Sequence, residues 1–368
     1  MNLLKQSNIT VIKIYLFFIF WFFYFNFLPA FFVQSFSNKY AIFLSILTVI
    51  FFTIGYILGS FGTTKEKMSN MDISNTYKFY YIYISIFILS YFFKNLFTPL
   101  LALISAHLII KLLSSRYYIY TLMVTIMSAS YLFMQYTRMY ILMIIIYIFM
   151  YFYIKNKKFY LLQIVTVTIS GLFLLIVMLY QRVFQEINLS KIFTYLNKID
   201  IEDFFKLVDN YFVYEAYLHT LEYFPKYHLF LYGDSLIKPF IFWIPRSIWE
   251  DKPEGLTTFL PKLFYGTSRG SEYSTGMTIT GEFYVNFGLL GVVLFSFLFG
   301  YISIFITKKL LTSNKEEMLI IALMYIVYFP HLIRGGIGTT VVFELLFSLF
   351  FILFFRMPNI FKRINWRK

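Results

Sequence analysis

Five basic residues stand beside long apolar runs and are the first candidates for chemistry: Arg138, Arg182, Arg246, Lys252 and Arg334. Arginine keeps its proton at physiological pH and grips phosphate oxygens through a planar fork. A converging set of such cations suits a lipid-linked pyrophosphate. Arg246 and Lys252 share a segment in which Trp243, Pro245, Trp249 and Pro253 set a turn at headgroup level. The same segment also reads as a snorkelling anchor in an aromatic belt. Glu282 lies in the run Gly281 to Gly288, at the entrance to an apolar stretch. A carboxylate at that boundary is partly desolvated, which suits a general base. The other reading is a glutamate favoured by the dipole of a helix N-terminus. Arg334 is followed by Gly335 and Gly336, whose backbone N–H groups beside a cation form an expected anion nest. His331, one turn earlier, reads as a base or as a satisfied interfacial histidine. Asp200, Glu202 and Asp203 have the spacing of a metal site and equally that of a helix cap. With no cysteine in the chain and no stronger ligand cluster, neither metal nor cofactor is expected.

The elements that must position these residues are set by composition. Hydrophobic residues make up 60% of the 368-residue chain and charged residues 14%. The mean hydropathy is +0.70. A soluble domain carries about 25% charged residues, so most of this chain belongs in lipid. The formal charge of +14 sits between apolar runs, which reads as membrane topology and not as a nucleic-acid surface. A membrane helix needs about 20 apolar residues. That ruler places spans near 11–33, 40–61, 77–93, 95–113, 117–135, 139–154, 159–180, 287–307, 318–333 and 338–355. The predicted fold is all-α, a polytopic bundle of about ten spans with a long extracytoplasmic loop containing interfacial helices. Three stretches follow: spans one to seven over 1–180, the loop over 181–286, and spans eight to ten with a basic tail over 287–368. The first run is too long for a cleaved leader and lacks a small-x-small site, so it is read as a membrane helix.

Orientation follows from the short loops. One set carries Lys65, Lys67, Lys78, Lys111, Arg116, Lys155, Lys157, Lys158, Lys308, Lys309 and Lys315, and the tail adds Arg356, Lys362, Arg363, Arg367 and Lys368. The alternate set carries single cations: Lys39, Lys94, Arg138 and Arg334. Both termini are therefore expected in the cytoplasm and the 181–286 loop outside, with its polar helix face at Glu202, Asp203, Lys206, Asp209 and Asn210. Glu344 stands inside the last span, where a charge is costly and turns to the bundle interior.

In the order of these features the chain resembles the Wzy-type oligosaccharide repeat-unit polymerases, which include the O-antigen polymerases. The likeness rests on Pro245-Arg246 with Trp249, Lys252 and Pro253, then Gly281-Glu282 with Asn286-Phe287-Gly288 and Gly291, then Arg334-Gly335-Gly336 before the last span. The resemblance implies a glycosyltransferase of the bacterial cytoplasmic membrane. Such an enzyme moves a growing glycan from undecaprenyl pyrophosphate to a new lipid-linked repeat unit, on the outer face. It also implies site roles: Glu282, Arg246 and Arg334 catalytic, with Arg138, Arg182, Lys252, His331, Gly335 and Gly336 binding substrate. Expected partners are the lipid-linked oligosaccharide donor and acceptor, membrane lipids and a chain-length regulator, with no nucleic acid. Two other functions compete. An O-antigen ligase uses the same donor with another acceptor, and a flippase for lipid-linked sugars should show broken mid-membrane helices and deep charges.

Overall fold

The computed structural model describes residues 2–33, 36–61, 76–134, 138–154, 209–266, 276–313, 315–334 and 336–365. Among the described residues it is all-helical, with twelve α-helices and no strand. They are α1 (Asn2–Phe22), α2 (Phe36–Phe61), α3 (Thr76–Phe92), α4 (Lys94–Ser114), α5 (Tyr118–Met134), α6 (Arg138–Ile154), α7 (Asp209–Tyr223), α8 (Lys238–Ile241), α9 (Leu256–Tyr265), α10 (Ile279–Leu311), α11 (Glu316–Ile333) and α12 (Ile337–Asn365). Five are long and apolar enough to cross a membrane, and four more are shorter and apolar. The chain is thus a multi-pass membrane protein. Nine of the expected spans fall on helices; the seventh, 159–180, lies outside the described residues. So do Arg182, Asp200, Glu202, Asp203 and the loop cations Lys65, Lys67, Lys155, Lys157 and Lys158.

The helices form two compact units. Unit 1 comprises Met1–Met68, Asp200–Ser313 and Tyr328–Lys368; unit 2 comprises Ser69–Ile199 and Asn314–Val327. Both therefore cut across the three consecutive stretches read from the sequence.

In unit 1, α2 lies against the second half of α10 at close range. A Cβ on Gly55 or Gly59 would run into the backbone of Phe297 and Tyr301, and one on Gly300 into that of Phe52. Without a hydrophobic force between helices in lipid, such small residues let backbones approach and gain dispersion contacts. The core is aromatic. Phe329 stacks on Phe18 at 3.7 Å and on Phe299 at 5.4 Å.

The expected first span is not one uniform helix. After Phe22 the chain widens into a π turn (Phe23–Phe27) and then tightens into a 3-10 turn (Pro29–Phe32). Asn26 in the π turn is buried and needs partners inside the protein. Its amide donates to Phe22 O at 3.2 Å, and its Oδ1 accepts from Thr280 at 3.2 Å.

Span eight also departs from expectation. Helix α10 starts at Ile279, not 287, and is broken at Phe287 (φ −144°, ψ 20°) and Gly288 (φ 62°, ψ −145°). The Gly288 conformation belongs to glycine, because a Cβ there clashes with the backbone. Beyond the break the chain folds back, bringing Phe295 to 5.7 Å from the Phe283 ring. Glu282 therefore lies in a short packed helix ahead of the break. Helix α7, from the expected interfacial loop, is built into the unit: Tyr214 donates to Asn38 Oδ1 at 2.6 Å, and Tyr217 to Ala41 O at 3.2 Å.

In unit 2, α3 and α4 form a hairpin around Phe93, whose φ of −123° and ψ of 65° end the first helix. The Phe79 ring meets His107 at 4.8 Å, and Lys111 sits 3.8 Å above it, as an antiparallel pair requires. Lys111 is no free loop cation. It is buried in the last turn of α4 and pairs with Glu316 at 2.7 Å. An ammonium removed from water needs such a partner.

Candidate functional site

The residues of interest in unit 1 centre on Glu282, which is 1% exposed. Its Oε2 accepts the backbone N–H groups of Gly336 at 3.1 Å and Ile337 at 3.2 Å. Its Oε1 accepts the Ser235 hydroxyl at 3.3 Å. Asn286, one turn later, extends the network: its amide donates to Ser235 Oγ at 2.8 Å and to Glu282 O at 2.7 Å, while its Oδ1 accepts Gly233 N–H at 3.0 Å. The loop 231–235 is further held by Leu231 N–H on Val285 O and Tyr232 N–H on Asn286 O. One carboxylate thus ties the start of α12 and the 233–235 turn to the first half of α10.

That geometry revises two expectations. Gly336, at φ 118°, supplies its N–H to an anion, but the anion is Glu282 of the same chain. Glu282 itself is almost fully buried and has both oxygens hydrogen-bonded within the chain, so it orders the loops around it. Gly335 lies outside the described residues.

The cations sort by their contacts. Lys252 donates to the carbonyls of Phe242 at 3.1 Å and Ile244 at 2.9 Å, which makes it a strut of its own turn. Arg246 is exposed and lightly held, with Nη1 3.4 Å from Glu250 O and Nη2 4.0 Å from Glu254 Oε1. Glu254 is engaged more closely by Lys262 at 2.6 Å. Arg334 is half-buried, and its Nε would lie 3.3 Å from a Cβ placed on Gly276. His331 sits in α11 with its ring 5.9 Å from Tyr328 and within electrostatic reach of Arg334. Its Nε2 is buried and has no hydrogen-bond partner among the described residues. Glu344 is buried in α12 and its Oε1 is likewise without one. Arg138 opens α6 in unit 2, and its side chain lies outside those described.

No family model, curated protein or solved structure matches the chain.

One functional candidate escaped the sequence reading. Lys238 is half-buried at the start of α8, within electrostatic reach of Lys252, Glu282 and Arg246. Burial pushes its ammonium below the usual lysine value, Lys252 and Arg246 push in the same direction, and Glu282 opposes them. The signal in the sequence was slight: a lysine before Pro239, in a stretch without repeated motif. Through Lys238 and Glu282, the loop carrying Arg246 and the loop following Arg334 meet at one place in unit 1. Among the described residues no three histidine or acidic side chains are grouped to hold a metal.

Proposed function

We propose that this protein is a polymerase of lipid-linked oligosaccharide repeat units, acting on the outer face of the bacterial cytoplasmic membrane with both termini inside. The observation that carries the reading is the meeting of the Arg246 and Arg334 loops around the buried Glu282. Those loops hold the sequence features shared with Wzy-type polymerases, and their cations suit a polyprenyl pyrophosphate. In the reaction, an acceptor hydroxyl oxygen bonds to the donor sugar C1 as the bond from C1 to the pyrophosphate oxygen breaks. The hydroxyl proton passes to the departing pyrophosphate. Arg246 and Arg334 stabilise the charge that builds on that leaving group. Glu282 acts by keeping the 334–337 loop and the 233–235 turn in register, as a positioning residue. The apolar helices supply a lipid-facing body for both polyprenyl tails.

The test is what accumulates in cells lacking the native protein. Wild-type chain should restore long polysaccharide, and Arg246→Ala should leave single lipid-linked repeat units on the outer face. Long chains that stay on lipid and fail to reach their final acceptor would indicate a ligase. Repeat units trapped on the cytoplasmic face would indicate a flippase. Reporter fusions near Asp234 and after Arg334 should read external, and one after Lys309 cytoplasmic.

A further inference from the structure

The turn from Leu231 to Asp234 carries a side chain that its own backbone disfavours. Asp234 N–H donates to Leu231 O at 3.0 Å, and φ is positive at both central residues, 47° at Tyr232 and 104° at Gly233. That is the pattern of a type I′ turn, whose first central position favours Asn, Asp or Gly. A tyrosine there is strained, because its Cβ crowds a neighbouring carbonyl. The rest of unit 1 holds it in place. Leu231 N–H and Tyr232 N–H donate to Val285 O and Asn286 O at 2.8 and 3.0 Å, just ahead of the break in α10, and Gly233 N–H donates to Asn286 Oδ1 at 3.0 Å. These bonds account for the turn, since the carbonyls at the broken helix end need donors. They do not account for the tyrosine, because they use only the backbone of residue 232. The Tyr232 side chain is 67% exposed, and its ring meets that of Phe287, itself 37% exposed, at 6.2 Å and 77°. Asp234, two residues on, is exposed, and its carboxylate makes no hydrogen bond or ion pair among the described residues. Strained residues that the surrounding structure holds in place cluster where a ligand is bound. An open aromatic face beside an open carboxylate complements a sugar: the ring takes its C–H face and the carboxylate accepts its hydroxyls. A membrane anchor has another composition. Phe240, Trp243 and Ile248 are strongly exposed in the segment that carries Arg246, and cations suit anionic headgroups where a carboxylate does not.

We infer that Tyr232 and Asp234 form a saccharide-binding subsite, in which a sugar ring stacks on Tyr232 and gives its hydroxyl hydrogens to Asp234. Phe287 sets the Tyr232 ring by meeting it nearly at right angles. Gly233 lets the turn lie close to that support, since a Cβ there would already be 3.7 Å from the Phe287 ring. Asn286 and Ser235 tie the turn to Glu282, which in turn holds the N–H groups of Gly336 and Ile337. The subsite is therefore fixed relative to the loop that follows Arg334. The inference deepens the polymerase reading and rests on it only for the lipid to which the sugar is attached.

Purified full-length protein, in a detergent without a sugar headgroup, is titrated with oligosaccharide fragments of the producing cell's own surface polysaccharide. Binding is read by saturation-transfer NMR. Wild type should bind the fragments, and Tyr232→Asn should weaken that binding about tenfold. The same variant should keep or raise the thermal unfolding midpoint, because asparagine suits a positive φ. A structural tyrosine would give the opposite pair, a lowered midpoint with unchanged affinity. Tyr232→Phe keeps the stacking face and should stay within roughly threefold of wild type. Asp234→Ala removes an exposed side chain and should weaken binding by about fivefold; it decides the matter if Tyr232→Asn does not fold. Affinity within about twofold of wild type in folded Tyr232→Asn overturns the inference, as does wild type binding no fragment. Unchanged affinity with less Tyr232→Asn protein in the membrane fraction would make the tyrosine an interfacial anchor instead. Weakened fragment binding in Tyr232→Asn alongside normal long chains in cells carrying Arg246→Ala keeps the saccharide subsite and removes the polymerase reading. Unchanged fragment binding in Tyr232→Asn with accumulation of single repeat units in Arg246→Ala does the reverse.

Discussion

Glu316 and Glu282 are both largely shielded from water, and they are satisfied in opposite ways. In unit 2, Glu316 pairs with the Lys111 ammonium at 2.7 Å and accepts from His107 Nε2 at 3.2 Å, whose Nδ1 lies 3.1 Å from the Tyr147 hydroxyl. In unit 1, Glu282 accepts two backbone N–H groups and a serine hydroxyl. The first network joins charge to charge and is closed electrically. The second meets a charge with backbone and hydroxyl dipoles, with the Lys238 ammonium within electrostatic reach. A closed ion cluster holds helices together; a carboxylate held by the N–H groups of one loop and the hydroxyl of another keeps those loops in register. That contrast is the physical basis for placing function in unit 1 and reading the unit 2 cluster as structural.

The contrast breaks most visibly if the ion cluster is opened. Lys111→Met removes the cation 2.7 Å from Glu316 and leaves the His107 hydrogen bond in place. Losing one partner of a buried pair costs about 3–5 kcal/mol. A large drop in the thermal unfolding midpoint in detergent is expected, and an unchanged midpoint would mean that water reaches Glu316 freely. Glu282→Ala strands the Gly336 and Ile337 N–H groups at a cost of about 1–3 kcal/mol for each unsatisfied group. Glu282→Gln offers an amide oxygen to the same two donors and an NH2 group to Ser235. It should stay folded and keep glycan transfer within severalfold of wild type. Complete loss of transfer in well-folded Glu282→Gln would show that this carboxylate moves a proton after all.

A pH titration sharpens the same comparison. Lys238 titrates below the ordinary lysine value of 10.5, because of burial first and the nearby cations second. Protonated Lys238 therefore weakens the native state at neutral pH, and the penalty fades as pH climbs from the folded value toward 10.5. An unfolding midpoint in detergent that responds to pH identically in wild type and Lys238→Gln would show that burial does not shift this lysine. The smallest effect is expected from Tyr147→Phe, which deletes the outermost hydrogen bond of the unit 2 cluster. It should cost about 0.5–1.5 kcal/mol, read as a small midpoint shift with no change in pyrophosphate affinity.

What was legible in the sequence followed from local physics. Runs of about 20 apolar residues must be helical in lipid, because each backbone group needs an internal partner. Nine expected spans accordingly lie on helices among the described residues. Arg246, Glu282 and Arg334 were also picked out from motifs, since charged residues at the edges of apolar runs are few. Their environments were not legible. Whether Glu282 faces an acceptor or the N–H groups of Gly336 and Ile337 depends on a contact across 54 residues and on a helix break at Gly288. Lys111 looked like a loop cation because its partner Glu316 is about 200 residues away. Lys238 was passed over because the residues packed against it include Gly255 and Gly338, which carry no side chain and give no signal of their own. Hydropathy and charge spacing are properties of neighbours along the chain, so the sequence alone determined the helices and their membrane character. Burial, hydrogen-bond partners and the meeting of charges depend on which distant segments touch, and only the tertiary structure decided those.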